Sequence, residues 1–287
     1  MSFSPYPDPA TGEPTGAIVA FFASLLSGLE NVNWTWLFYR GGRLPDLLGF
    51  FTTVAVFLIV IYLEGIRVEL PLSHAQFRGF RGRYPVKLLY VSNIPVILAS
   101  ALFADIYFIG RILWERYNRD NSDWLLNMIA MYDVSGGTEK PLPGCLVYYV
   151  TPPRSIGAVM EEPVRALVYL ALLVAVCVIF SITWVEIAGL SAKDVAKQLI
   201  DAGMQVPGFR RSERPVGEIL GRYIPAVTVV GGFIVGLIAG LADWLGVFGT
   251  GMGVLLTVGI LYQTYQQLLR EQLLEMYPAV RRFLGKK

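Results

Sequence analysis

Residues 84–111 read YPVKLLYVSNIPVILASALFADIYFIGR, and this run decides the fold because it is mostly apolar and long enough to cross a bilayer as a helix. Five residues break its apolar pattern: Ser92, Asn93, Pro95, Ser100 and Asp105. Polar and ionisable groups are costly in hydrocarbon, so we expect them to face protein or water. Pro95 in mid-helix would leave a backbone carbonyl for neighbouring groups to satisfy. The run therefore predicts a membrane helix with something polar beside it.

The composition around this run is that of an integral membrane protein. Of the 287 residues, 54% are hydrophobic and 16% are charged, and the mean hydropathy is +0.52. Soluble domains usually carry about 25% charged residues. The net charge of +2 gives no nucleic-acid footprint over the whole chain.

The sequence predicts neither an enzyme nor a metal or cofactor site. The HExxH and GxSxG motifs are missing, and the single histidine, His74, excludes any motif that needs two. Cys145 and Cys177 lie far apart in the chain, and they indicate neither a disulfide framework nor a set of zinc ligands.

Hydropathy predicts an all-α membrane protein with five transmembrane helices. The predicted spans are residues 47–63, 88–109, 164–185, 224–242 and 245–262. The first 46 residues contain a shorter apolar stretch, 17–29, which is too short to cross comfortably; we expect a short helix that lies at the membrane interface or docks on other helices.

Lysine and arginine predict the orientation of the chain in the cell membrane. The loops 64–87 and 186–223 and the tail 263–287 are rich in basic residues, so we expect them in the cytosol. The segments 1–46 and 110–163 are then outside. Within the second cytosolic loop, Ser191 and Asp194 form a capping pattern that predicts a short helix over about 192–202.

Helical periodicity marks two further features. At 100° per residue one stripe about 100° wide collects Ile94, Ile97, Leu98, Ala101 and Asp105. This stripe is either a pathway lining or an apolar face toward lipid with Asp105 near the headgroups. Small residues spaced four apart predict close helix packing at Gly232, Gly236 and Gly240.

Basic residues are concentrated in the two predicted cytosolic loops. The candidates for docking a cytosolic partner are Arg67, Arg78, Arg81, Arg83, Arg210 and Arg211. Phe77 and Phe80 stand among them, a mixture typical of contacts with acidic or nucleic-acid-bearing partners. The alternative is that these charges only set the membrane topology.

The chain resembles the C-terminal half of proteins of the SecY family, in the archaeal and eukaryotic branch of that family. The stretches that carry the resemblance are YLEGIRVELPL, GRYPVKLLYVSNIPVILASALFA, WVEIAGLSAKDVAKQL, GMQVPGFRR, LADWLGVFGTGMGVLLTVGILY and LLREQLLEMYPA. The similarity runs from about residue 17 to the end of the chain. It implies a protein-conducting channel of ten spans in two inverted halves, opened like a clamshell, of which this chain holds spans six to ten.

By this resemblance, Ile94, Ile97 and Leu256 match members of the apolar ring that seals the family's pore. The second and third spans match one half of the lateral gate. Asn93 and Asp105 would be polar residues of that gate, and Asp105 departs from the asparagine that is usual in the family. The two basic loops match the surfaces that receive the ribosome, or a motor ATPase in bacteria.

The resemblance also implies partners. Spans one to five, the plug and the other half of the gate are not in this sequence, so we expect a split translocon half, a truncated frame or a fragment. The expected partners are an N-terminal SecY half, a SecE-like clamp subunit, a small beta-type subunit, the ribosome, the translocating polypeptide and the lipid bilayer. The alternatives are a secondary transporter that uses Asp105 as its coupling carboxylate, and a fragment without function.

Overall fold

The computed structural model describes residues 47–71, 73–74, 83–87, 89, 91, 93–133, 139–201, 204–205 and 213–276, together with residues 6, 15, 16, 18, 19, 21 and 22. From residue 47 onward the helices are α1 Leu47–Gly65, α2 Ile94–Tyr117, α3 Trp124–Ile129, α4 Leu146–Val150, α5 Ile156–Glu161, α6 Pro163–Ile187, α7 Ala192–Asp201, α8 Glu213–Trp244 and α9 Gly251–Met276. The strands are β1 Arg67–Pro71, β2 Ser73–His74, β3 Arg83–Lys87, β4 Tyr132–Asp133, β5 Lys140–Pro141 and β6 Met204–Gln205.

Long apolar helices dominate, which confirms the predicted all-α membrane fold. Within the described residues, four stretches are helical, long and apolar enough to cross a membrane: Leu47–Gly65, Ile94–Tyr117, Pro163–Asp201 and Val216–Trp244. The first four predicted spans fall on α1, α2, α6 and α8 respectively. Their apolar residues point in nearly all directions, as expected for helices that meet lipid on one side and protein on the other.

Helix α6 is the centre of the core. It contacts both α8 and α2, and the contact with α8 is the more extensive. Its buried residues Tyr169, Leu173, Cys177 and Ser181 recur every four positions and so lie on one face. The core that forms around them also takes in residues of α1, α2 and α9.

The three glycines of α8 lie on the face that meets α6. A Cβ atom at Gly236 would approach the Val174 Cα to 3.0 Å and the Cys177 Cβ to 3.1 Å. At Gly232 it would collide with Ser181, and at Gly240 with Leu170. Only a residue without a side chain allows the two helix backbones to come this close.

The predicted start of the second span is wrong by six residues. Helix α2 begins at Ile94 and continues to Tyr117, whereas residues 83–87 form strand β3. Pro95 therefore lies in the first turn and not in mid-helix. The first turn has no intrahelical partner for that amide, so proline starts this helix without breaking a hydrogen bond.

The predicted fifth span also starts too early. Residues 245–250 form a turn in which Gly246 and Gly249 have φ angles of 64° and 92°, a conformation that ends a helix. Helix α9 then runs from Gly251 to Met276, and its second half is the polar stretch QTYQQLLREQLLEM. Helix α9 is accordingly not one of the four membrane-length stretches among the described residues.

The predicted cytosolic loops contain regular structure that hydropathy does not indicate. Strand β1 pairs antiparallel with β3, in register from Arg67 opposite Lys87 to Pro71 opposite Arg83. Strand β2 pairs with β6, which places Ser73 opposite Gln205. The second pairing joins the two basic loops, although they are far apart in the sequence.

Helix α7 confirms the predicted short helix of the second loop. It covers Ala192–Asp201, and the Ser191 hydroxyl both accepts from the Asp194 amide at 3.3 Å and donates to the Asp194 carboxylate at 2.6 Å. The first bond caps the N-terminus of the helix, and the second fixes the Asp194 side chain beside the cap residue. The predicted turn at residues 207–208 lies outside the described residues.

Candidate functional site

Helix α2 has two unlike faces. Val96, Ala99 and Phe103 are buried in the core on one face. The stripe predicted from spacing is on the other: Ile94, Ile97 and Leu98 are half-buried, while Ala101 and Asp105 are exposed. The stripe is therefore the surface that α2 leaves open to whatever lies beside this chain.

Asn93 connects the start of this stripe to α9. Its side-chain amide donates to the Leu255 carbonyl at 2.6 Å, and the residue is 5% exposed. A Cβ at Gly259 would collide with the same amide, so glycine is needed for the approach. The bond joins the residue before Ile94 to the residue before Leu256, and it brings the two chain segments of the predicted ring next to each other.

Lys87, the last residue of β3, makes a second connection to α9. Its ammonium lies 5.6 Å from the centre of the Tyr262 ring of α9, a cation–π geometry. The strand that leads into α2 is thus held against α9.

The two residues predicted for the polar part of the gate are not close together. Asn93 and Asp105 are 12 positions apart on α2, which is about 18 Å along the helix axis. Asn93 is buried against α9, whereas Asp105 is exposed one turn and a half before Arg111.

Two of the six predicted docking residues, Arg67 and Arg83, lie among the described residues. Arg67 is exposed in β1, and Arg83 is the last residue of the β1–β3 ladder. Arg78, Arg81, Arg210 and Arg211 lie outside the described residues. The β2–β6 pairing lies between Arg67 and Arg83 in one loop and just before Arg210 in the other.

Sequence reasoning missed Asp243, a carboxylate whose two oxygens each accept a hydrogen bond from another helix. Its Oδ2 accepts from the Tyr169 hydroxyl at 2.8 Å, and its Oδ1 accepts from the Gly251 amide at 2.8 Å. One side chain therefore fixes α6, the end of α8 and the start of α9 relative to one another. An aspartate at the end of an apolar run was the available signal, but its partners are distant in sequence.

A cavity of about 670 Å³ opens beside Asp243. Its walls come from α2, α4 and the loop after it, α6, the end of α8 and the start of α9, and they include Ser100, Tyr107, Arg154, Tyr169, Asp243 and Thr250. The cavity borders the side of α2 adjacent to the open stripe. Ser100 therefore faces a cavity with polar side chains in its walls and not the lipid, as expected for a polar residue in an apolar helix.

A polar cluster marks the beginning of α6. Arg165 donates to the Glu162 carboxylate at 2.8 Å and lies 4.2 Å from the centre of the Tyr148 ring. The hydrogen bond from Arg165 lowers the pKa of Glu162. Burial, followed by the bond to Glu162, raises the pKa of Tyr148.

Comparisons with known proteins identify the family. The SecY family model matches residues 15–265. The protein translocase subunit SecY of Pyrococcus furiosus is 47% identical over 282 residues, covering 97% of this chain and 56% of the relative. The subunit of Methanocaldococcus jannaschii is 39% identical over 273 residues, covering 95% of this chain and 57% of the relative.

Solved structures show the same similarity. A structure described as that of a protein conducting channel superposes with a TM-score of 0.71 at 38% identity, covering 94% of this chain and 57% of the other. A structure from work on the SecY plug domain and the closed state of its channel gives a TM-score of 0.70 at 38% identity, with the same coverage.

The chain spans little more than half the length of these relatives, 56% in the case of the SecY subunits of Pyrococcus furiosus and Pyrococcus horikoshii. The matched part nevertheless includes α1, α2, α6, α8 and most of α9. Asn93, the stripe on α2 and the Asp243 cluster all lie inside it. On this evidence the chain is a multi-pass membrane protein that belongs to the SecY family.

Proposed function

We propose that this chain supplies one half of the pore and one half of the lateral gate of a Sec-type protein-conducting channel. The observation that carries the proposal is the open face of α2. That face is lined by Ile94 and Ile97, while the opposite face is buried in the core. A helix that only met lipid would not need an asparagine to bond its first turn to another helix.

The proposed seal consists of Ile94 and Ile97 from α2 and Leu256 from α9. Aliphatic side chains in a ring close around a passing chain and exclude ions and water when it is empty. The Asn93–Leu255 hydrogen bond supports the inclusion of Leu256, because it holds this part of α9 at the start of α2.

The proposed gate runs along α2 and α6, with Asn93 and Asp105 as its polar residues on α2. Signal sequences and the apolar segments of membrane proteins would leave through it into lipid. The exposed Asp105 supports a role at the surface of the gate rather than in the core of this chain.

The remaining partners are proposed from the relatives. Half of a channel needs an N-terminal half with spans one to five, and we also propose a SecE-like clamp subunit and a small beta-type subunit. The ribosome would dock on the two basic loops. The β2–β6 pairing supports one shared docking surface, because it ties both loops together.

The alternative of a carrier coupled through Asp105 has less support. Carriers of that type hold their coupling carboxylate near the middle of the membrane at a solute site. Asp105 is exposed and does not line the cavity beside Asp243, and the relatives are translocase subunits.

Replacing Ile97 with asparagine tests the proposed channel. The amide would stabilise water at the constriction and so lower the free energy of the open, water-filled pore relative to the closed one. A decrease of about 1.4 kcal/mol raises the ratio of conducting to closed channels about tenfold. Ion conductance is measured in planar bilayers, with the full chain reconstituted together with the subunits that purify with it.

The matched control is Leu102→Asn. Leu102 is 38% exposed on the same helix but lies about 140° around the axis from Ile97. Val96, which spacing alone would select as a control, is fully buried, so an asparagine there would test folding instead. A leak in Leu102→Asn together with a tight Ile97→Asn channel would show that the pore face is wrongly assigned.

A further inference from the structure

Helix α3 presents an apolar face that is mostly exposed within the described part of the chain. Trp124 is 71% exposed, Leu125 59% and Met128 62%. At 100° per residue these three side chains lie on one side of the helix. Exposed apolar groups collected on one face mark a contact surface rather than the scattered exposure found on any protein.

This face is held in place by a network of asparagines. The Asn118 amide donates to Asn127 at 2.7 Å, and Asn127 in turn donates to the Asn121 carbonyl at 2.9 Å. Asn121 also accepts from the indole of the buried Trp114 at 2.9 Å. Helix α3 is therefore fixed to the last turns of α2, and these hydrogen bonds set the direction in which its apolar face points.

The position of these last turns relative to a bilayer follows from the length of α2. Its 24 residues extend about 36 Å, whereas the hydrocarbon core is about 30 Å thick. Its final turns carry the exposed charges of Arg111, Glu115 and Arg116, which belong among headgroups. Helix α3, which is bonded to this end of α2, lies at the same level.

We propose that α3 docks in the headgroup layer of the bilayer, with Trp124, Leu125 and Met128 inserted toward the acyl chains. Tryptophan is favoured at this depth because its ring is apolar and its N–H group meets water or headgroups. The charged turns at the end of α2 and the apolar face of α3 then both lie at the same membrane interface, the charges among the headgroups and the apolar side chains toward the acyl chains. The proposal concerns the lipid contact of the segment between α2 and α6, and it holds whether or not the chain forms a channel.

The test uses single cysteines that carry an environment-sensitive NBD label. Met128→Cys and Leu125→Cys place the label on the apolar face, and the control Ser122→Cys places it on the exposed turn before the helix. The native Cys145 and Cys177 are fully buried, so the unmodified chain supplies the background. The full chain, with the subunits that purify with it, is placed in phosphatidylcholine nanodiscs containing lipids with a nitroxide near the headgroup.

We expect quenching by the nitroxide lipid to be roughly twofold stronger at positions 125 and 128 than at 122, since apolar faces of interfacial helices insert 5–10 Å or so below the headgroups. Iodide in the water should quench in the opposite order. Strong iodide quenching at 125 and 128 without lipid quenching would overturn the proposal. Protection from both quenchers would overturn it too, because the occupant would then be protein.

Discussion

Asp243 shows how much structure can depend on a single side chain. Both of its oxygens accept hydrogen bonds, from the Tyr169 hydroxyl and the Gly251 amide. The donors belong to α6 and to the first residue of α9, while Asp243 itself is at the end of α8. A carboxylate at this depth is stable only because donors replace the water that it loses.

We predict that Asp243→Ala lowers the free energy of unfolding by about 2–4 kcal/mol, because it leaves a buried hydroxyl and a buried amide without an acceptor. Unfolding is followed in detergent with a thiol-reactive fluorophore, which reports when the buried Cys145 and Cys177 become accessible. Tyr169→Phe removes only one of the two bonds and should cost about half as much. Equal stabilities of Asp243→Ala and the unmodified chain would mean that water already supplies the bonds.

At the scale of elements, the contact between α6 and α8 organises the bundle. Helix–helix association within a membrane depends on close packing, since lipid is as apolar as the side chains. The glycines of α8 and the residues Val174 and Cys177 of α6 provide that closeness. The same contact holds α6 in position against α2, the other proposed gate helix.

We predict that Gly236→Ala destabilises the chain by about 1–3 kcal/mol, because its methyl group would press on the α6 backbone at Val174. The matched control is Gly221→Ala on the same helix, where an added Cβ meets no atom within 4 Å. That control should be neutral or stabilising by up to about 1 kcal/mol through helix propensity. The thiol-accessibility measurement serves for both variants, and an unaffected Gly236→Ala would argue against tight packing at this position.

At the scale of the whole molecule, the β2–β6 pairing joins two loops that are far apart in the sequence. Between them the chain passes through α2 and then back through α6, two helices of membrane length. Both loops must then be on the same side of the membrane. This agrees with the orientation proposed from lysine and arginine, which puts both in the cytosol.

The orientation predicts which cysteines a membrane-impermeant reagent reaches in intact cells. Lys197→Cys on α7 should stay unlabelled and Ser122→Cys should be labelled, and both positions are exposed. The buried native cysteines keep the background low. Rapid labelling of Lys197→Cys, with none at Ser122→Cys, would require the inverted topology.

Docking on the basic loops is testable by charge reversal. Arg210→Glu combined with Arg211→Glu should weaken ribosome co-sedimentation by roughly tenfold at low salt, because each exposed ion pair contributes up to about 1 kcal/mol. Binding by the unmodified chain should fall as salt rises. Lys193→Glu combined with Arg222→Glu makes the same change in net charge at exposed positions of α7 and α8, within the same predicted cytosolic segment 186–223. If both pairs weaken binding equally, only the total charge of the loop matters.

The sequence by itself determined the class of the protein and much of its local structure. Apolar runs of membrane length predicted α1, α2, α6 and α8, since hydrocarbon thickness sets how many residues a spanning helix needs. The cap at Ser191 predicted α7 for an equally local reason, because its bonds reach only three residues along the chain. The motifs also named the family.

Only the tertiary structure decided where these elements meet. Asn93 bonds to Leu255 and Tyr169 bonds to Asp243 across long stretches of chain, and neither residue carries a local signal of its partner. The first residues of α2 and α9 depend on strand β3 and on the turn that contains Gly246 and Gly249. Hydropathy cannot register either, because it counts apolar residues and not backbone geometry. The burial of Val96 beside the half-open Ile97 has the same origin: packing by α6 assigns one face of α2 to the core and leaves the other free.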